Sequence, residues 1–274
     1  MSTANCSVSS RAKSACVQTG RSIVDLLIDI GNTRIKWATL DENGIGAQSA
    51  VAHAALTRDQ LIDQVLQIAR PESVLVSNVG GARMAELLTD ALAYRWGMNA
   101  TFAESTAEAC GVRNSYPEPR KLGVDRWLGM LAVHAMEERA TCVVGVGTAM
   151  TIDAVTADGT HLGGLIVPGP DLMISSLMRS TSDIQARAAD GSIAMQLFAD
   201  NTLGAVHQGA VNALAALVER AIDSIRLNLH VSPAVILTGG ACKRIEPLIA
   251  APSIVIPDLV LQGLAVLRVS SSSH

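Results

Sequence analysis

Two distant stretches of the chain follow one plan, and that repetition constrains the fold more than any other feature. The first, DLLIDIGNTRIKWATLDENG (Asp25–Gly44), is an apolar run, a Gly-Asn-Thr turn, a second run and an acidic-Gly turn. The second, TCVVGVGTAMTIDAVTADGTHLGGLIVPG (Thr141–Gly169), repeats that order around a Gly-Thr turn. Gly31 and Thr33 stand where Gly147 and Thr148 stand, with one residue of gap, and Asn43-Gly44 matches Asp158-Gly159. Short apolar runs joined by tight turns predict an antiparallel meander. After the first meander, whose third strand is expected over 47–52, a helical pattern (57–69), the β-branched run SVLVSNV (73–79) and a second helical pattern (82–96) follow. After the second come helical stretches (171–187 and 202–228), a strand (234–240), a helix, a short strand (253–256) and a last helix from Leu259. Strands alternating with helices predict a parallel layer. The expected fold is therefore duplicated α/β, each half a mixed sheet flanked by helices, with two glycine turns facing one cleft.

A chain of 274 residues is long enough for two such halves. Aromatics make up only 3%, so the core must come from Ala, Val, Leu and Ile, which suits layered helix-on-sheet packing. A net charge of −4 with no basic run excludes a nucleic-acid groove as the main business. Five scattered cysteines form no C-x-x-C pair, which predicts neither zinc nor disulfides and suits a reducing cytoplasm. No apolar run approaches the roughly 20 residues of a membrane helix. Residues 1–22, rich in Ser, Ala and Thr, read as a disordered leader.

The chemistry gathers at three places. Asp29 ends an apolar strand, and a desolvated carboxylate there needs a partner. The Gly31-Asn32-Thr33 turn brings backbone N–H groups and side-chain donors close to any phosphate, Lys36 adds charge, and Asp29 suits a hydrated Mg²⁺. Alone, the same residues also describe an ordinary hairpin turn with Lys36 reaching solvent. In KLGVDRW (Lys121–Trp127), Asp125 falls in the first turn of a helix, a stabilising position in its own right. With Arg126 beside it, the pair can also take a hydroxyl proton and fork a carboxylate. GGLIVPG (163–169) and LTGG (237–240) are further glycine-rich strand ends. The six histidines show no metal-binding or triad spacing.

Taken together, DIGNTRIK, YPEPRKLGVDRW, GTAMTID, GGLIVPG and LTGG resemble the type III pantothenate kinases, also known through the Bvg accessory factor proteins. These belong to the acetate and sugar kinase, Hsp70 and actin superfamily. The resemblance runs from Ile23 onward and implies duplicated actin-like (ribonuclease H-like) lobes, 23–123 and 124–274, with an ATP cleft between them. The second lobe would include an interlobe helix and dimer-forming helices. It implies that Asp29, Ile30, Gly31, Asn32, Thr33, Arg34, Ile35 and Lys36 bind ATP, with Asp29 holding Mg²⁺ through water, and that Thr148 meets ATP from the other lobe. Tyr116, Gly123, Val124, Asp125 and Arg126 would line the pantothenate pocket, with Asp125 as general base and Arg126 facing the substrate carboxylate. Thr181 would touch pantothenate across a homodimer interface. Relatives that need potassium or ammonium carry an aspartate two residues before the second turn's glycine; here Gly145 stands there. The implied activity is ATP-dependent phosphorylation of pantothenate. Another kinase or phosphohydrolase of the superfamily, or a silent accessory protein of the same fold, would keep much of the same pattern.

Overall fold

The computed structural model describes residues 24–180, 184, 187–188, 191–193 and 196–272, and within them the two repeated stretches build two sheets of one layout. In the first sheet β1 (Asp25–Ile30) pairs antiparallel with β2 (Arg34–Asp41) and parallel with β5 (Val74–Asn78), giving the order β3-β2-β1-β5-β6. β3 (Gly44–Ile45) and β4 (Ser49–Ala52) both lie on β2, and β6 (Thr101–Phe102) closes the other edge. A short hairpin, β7 (Glu108–Ala109) and β8 (Val112–Arg113), precedes the central helix. In the second sheet β9 (Thr141–Val146) pairs antiparallel with β10 (Ala149–Val155) and parallel with β12 (Ala234–Thr238). The order is β11-β10-β9-β12-β13, with β11 (His161–Pro168) and β13 (Ile254–Val255) at the edges.

β1 is buried along its whole length, as an unbroken apolar strand between covered faces must be. Its alternation decides what each face meets. Leu26, Ile28 and Ile30 pack with Leu61, Leu88 and Leu92 from α1 (Arg58–Val65) and α2 (Ala82–Trp96). Leu27 points the other way, into a cluster with Trp127, Leu128 and Leu131 of α3 (Val124–Met136) and Leu261 and Leu264 of α6 (Leu259–Ser272). Asp29, two residues on, shares the Leu27 face. α3 and α6 meet the second sheet as well, through Ala132, Val133, Leu259, Val143 and Ile236. The two helices therefore lie between the sheets. The far face of the second sheet is covered by α5 (Thr202–Leu229), whose Leu214, Val218 and Ile222 pack on Val144, Ile152 and Leu237. α4 (Pro170–Ser180) runs beside α5.

Several expected elements are shorter or different. The helix expected after Gly240 is two 3-10 turns, Cys242–Arg244 and Glu246–Leu248, because Pro247 has no N–H to continue an α-helix. The third strand expected over 47–52 is β4, shortened to Ser49–Ala52, and a two-residue strand that was not expected, β3, precedes it. α4 covers the first part of the helix expected over 171–187. Residues 1–22 and Thr181 lie outside the described residues. Among the described residues no helix is long and apolar enough to cross a membrane.

Candidate active site

The β1–β2 register sets Asp29 opposite Lys36, and the Gly31 N–H closes the turn on the Arg34 carbonyl at 3.0 Å. Asn32, Thr33 and Arg34 project into solvent from this turn, whereas the Ile30 and Ile35 side chains are buried in the first-lobe core. Those two isoleucines can offer a ligand only backbone, and the Ile30 carbonyl is already taken by the Val79 N–H. His53 buttresses the turn: its Nε2 lies 2.7 Å from the Gly31 carbonyl and its backbone N–H donates to the Thr33 carbonyl at 3.2 Å. Lys36 Nζ lies 3.5 Å from the Pro257 carbonyl, just ahead of α6.

Asp29 is only 6% exposed, and its Oδ1 has no hydrogen-bond partner among the described residues. The Ser77 hydroxyl, its neighbour across the β1–β5 pairing, makes no hydrogen bond of good geometry but lies near enough to Asp29 to favour the charged carboxylate. Burial pushes the Asp29 carboxyl up to about 6; Lys36 and Ser77 oppose the rise, and the charge of Asp125 adds to it. The charge of Asp125 is thus felt at Asp29. Among the described residues no three His, Cys, Asp or Glu side chains gather as a metal cluster. An unpaired buried carboxylate oxygen at a phosphate-sized turn nevertheless fits Mg²⁺, which keeps most of its waters and needs few protein ligands.

The second turn is built by three glycine-rich strand ends. The Gly147 N–H donates to the Ala149 carbonyl at 2.9 Å, and the Thr148 carbonyl accepts from the Gly169 N–H at 2.8 Å, leaving the Thr148 side chain exposed. A Cβ on Gly169 would collide with the Gly147 carbonyl, so the end of GGLIVPG can approach only as glycine. From LTGG, the Ala241 N–H reaches the Val146 carbonyl at 3.1 Å. Gly145 faces Thr151 across the β9–β10 ladder, and a Cβ there would stand 2.9 Å from the Thr151 hydroxyl. Thr151 thus fills the space beside Gly145, and the position offers a cation no charged oxygen.

Gly123 is the N-cap of α3, and its bare Cα leaves room for the Asp125 carboxylate to fold back, where Oδ1 accepts the Arg126 N–H at 2.9 Å. Burial raises the Asp125 carboxyl above the usual carboxylate range; the Arg126 N–H and guanidinium pull it down, and Asp153 pushes it up. Val124 packs at the edge of the interlobe cluster. A cavity of about 350 Å³, lined by Asn78, Val79, Ser105, Arg120, Gly123 and Val124 among others, opens beside this helix start.

Arg126 is 8% exposed and already held. Its Nε and Nη2 donate to Asp153 Oδ2 and Oδ1 at 2.9 and 2.6 Å, and its Nη1 donates to the Tyr116 hydroxyl at 3.1 Å. Asp153 also meets His161 Nε2 at 3.0 Å, while His161 Nδ1 meets the Ser115 hydroxyl at 3.1 Å and its ring stacks on Tyr116. Asp153 and His161 belong to the site without having been singled out from sequence. Asp153 carried the same signal as Asp29, an acid inside an apolar strand. His161 carried none.

The chain is similar to known proteins over most of its length. A family model described as type III pantothenate kinase matches residues 25–224. The type III pantothenate kinase of Nitrosococcus oceani is 37% identical over 250 residues, covering 88% of this chain and 92% of that one. That of Aromatoleum aromaticum is 38% identical over 242 residues, covering 88% and 96%. Among solved structures, a Baf family protein from Campylobacter jejuni is similar at a TM-score of 0.56 and 21% identity, covering 91% of this chain and 100% of that one. The activator of 2-hydroxyisocaproyl-CoA dehydratase from Clostridium difficile, with bound ADPNP, is similar at a TM-score of 0.52 and 16% identity, covering 91% and 96%. At those identities the two structures speak for the two-lobed, actin-like fold alone.

Proposed function

The chain belongs to the type III pantothenate kinase family, and from that premise we propose that its two glycine turns and the start of α3 are the working site. The protein uses ATP to phosphorylate pantothenate, giving 4'-phosphopantothenate, the first step of coenzyme A biosynthesis. Phosphoryl transfer of this kind depends on positioning and on charge stabilisation. The first turn, with Asn32, Thr33, Arg34 and Lys36, grips the triphosphate from one lobe, and Thr148 meets it from the other. Asp29 holds a hydrated Mg²⁺, which when bound neutralises charge on the phosphate oxygens. Asp125 takes the proton of the pantothenate hydroxyl; its raised affinity for that proton suits a general base. Arg126 and Tyr116 receive the substrate carboxylate.

The observation that carries this reading is the buried Asp29 Oδ1, which no protein group among the described residues satisfies, with the charge of Asp125 near enough to raise the same carboxyl further. Gly145 and Thr151 supply no carboxylate for a monovalent cation, so a potassium or ammonium requirement would rest on backbone or relocated oxygens, and its loss is the other outcome of the assay below. The lobes divide near residue 123, with α3 as the interlobe helix, and the enzyme works in the cytoplasm. Two copies pair through β11 and α4, which expose Leu165, Ile166 and Leu172; Thr181, given to the partner's substrate by family resemblance, follows α4 in the sequence. The test is ADP release with ATP and pantothenate, with and without potassium. Asp125→Asn should lose about 10²-fold or more in kcat with ATP binding nearly intact. Near-normal kcat in that variant would remove Asp125 from the chemistry.

A further inference from the structure

We infer that Asp153, backed by His161, is a positioning residue that fixes which edge of Arg126 the substrate carboxylate can meet. The inference rests on Arg126 and Tyr116 being the carboxylate-binding pair. A guanidinium has five N–H groups. Asp153 takes two of them in a side-on fork and the Tyr116 hydroxyl takes a third. One N–H remains on each of Nη1 and Nη2. Tyr116, having accepted from Nη1, keeps its own O–H to donate outward. The substrate therefore meets a short row of aimed donors rather than a loose cation.

The carboxylate of Asp153 is what aims them. It is 2% exposed and receives three donors: Arg126 Nε, Arg126 Nη2 and His161 Nε2. A buried ion pair is tolerable when its remaining lone pairs are satisfied in this way. His161 is 1% exposed, and with Ser115 on its other nitrogen it is held in one orientation. Its ring also stacks on Tyr116, so one residue braces both the acid that holds Arg126 and the phenol that lies against it. Gly164 keeps the fork itself clear, because a Cβ there would collide with both Arg126 Nη2 and Asp153 Oδ1. Asp153 also neutralises the guanidinium charge, so selection for a carboxylate comes from directed hydrogen bonds. Directed hydrogen bonds fail once the donors lose their aim.

The test compares pantothenate with its alcohol analogue, in which a hydroxymethyl group replaces the carboxylate, in the full-length enzyme. Asp153→Asn offers Arg126 one acceptor and one opposing donor. It should raise KM for pantothenate by about 10-fold or more, the scale of a charged hydrogen bond, while KM for ATP moves far less. The preference for the acid over the alcohol should shrink with it. His161→Leu should move pantothenate KM in the same direction, and His161→Gln, which restores a donor to Asp153, should recover part of the loss. These histidine variants carry the test if Asp153→Asn does not fold. If Arg126→Ala leaves pantothenate KM unchanged, Arg126 is not the carboxylate receptor and the inference falls with it. If Arg126→Ala raises KM but the Asp153 and His161 variants only lower the melting temperature, the pair is structural and the positioning role alone is overturned.

Discussion

Asp29 binds a proton more tightly in the folded chain than in the unfolded one, because burial lifts its carboxyl from 3.8 to about 6. Between those two values the unfolded chain releases the proton while the folded chain keeps it, so stability falls as pH rises through that window and stays lower above it. A shift of about two units corresponds to roughly 3 kcal/mol, an order-of-magnitude cost carried by the ligand-free protein at neutral pH. Asp29→Asn should therefore melt several degrees higher than wild type near neutral pH without metal or nucleotide, with the difference closing at about pH 4, while ATP-dependent turnover collapses. A lower melting temperature at neutral pH would show that Asp29 is not a burden on the fold. The clash between an apolar strand and a terminal acid made this residue readable in the sequence, and Asp153 carried the same mark. His53 and His161 could not be read that way. Their partners, Gly31 and Asp153, are fixed by strand register and by the return of the chain, and a lone histidine carries no period that announces either.

At the scale of elements, the helix that presents Asp125 and Arg126 is positioned by its packing against α6. Gly263 of α6 sits so close to α3 that a Cβ there would collide with the Leu128 carbonyl, and backbone cannot give way as a side-chain tip can. Gly263→Ala should cost about 1–3 kcal/mol by overpacking. It should also raise KM for pantothenate through displacement of the α3 start, although residue 263 touches no ligand. A stable variant with unchanged kinetics would show that the helix pair has slack. Hydrophobic period was enough to locate most helices: the pattern from residue 57 is α1, which the structure shows to start on a Thr57–Gln60 capping box, and the run from Leu259 is α6. The segment after Gly240 misled because Ile245, Leu248 and Ile249 keep an apolar spacing that Pro247 prevents the backbone from using. The close approach at Gly263 left no trace in pattern, since a glycine inside a helix reads as a local weakness.

For the whole molecule, the two sheets share an order because each repeats the same hairpin-then-crossover path, and this was legible in the paired meanders. What pairs with the exposed edge was not, since Leu165 and Ile166 look like any strand residues until β11 is found at the rim with both uncovered. Covering such an edge is a common reason for two chains to associate. If two copies pair there, sedimentation should give a dimer, and Ile166→Glu should shift it toward monomer and weaken pantothenate use. A wild-type monomer at working concentration would refute the pairing. The placement of α6 also has a consequence in time. This late helix lies against β1 near Asp25, where Arg268 meets the Asp25 carboxylate at 2.9 Å, and against the helix that carries Asp125. A ribosome therefore emits both halves of the proposed site well before the wedge that seats them against each other. Until that wedge appears the nascent enzyme is two sheets with an open seam, so nucleotide added during synthesis should find no complete site to bind.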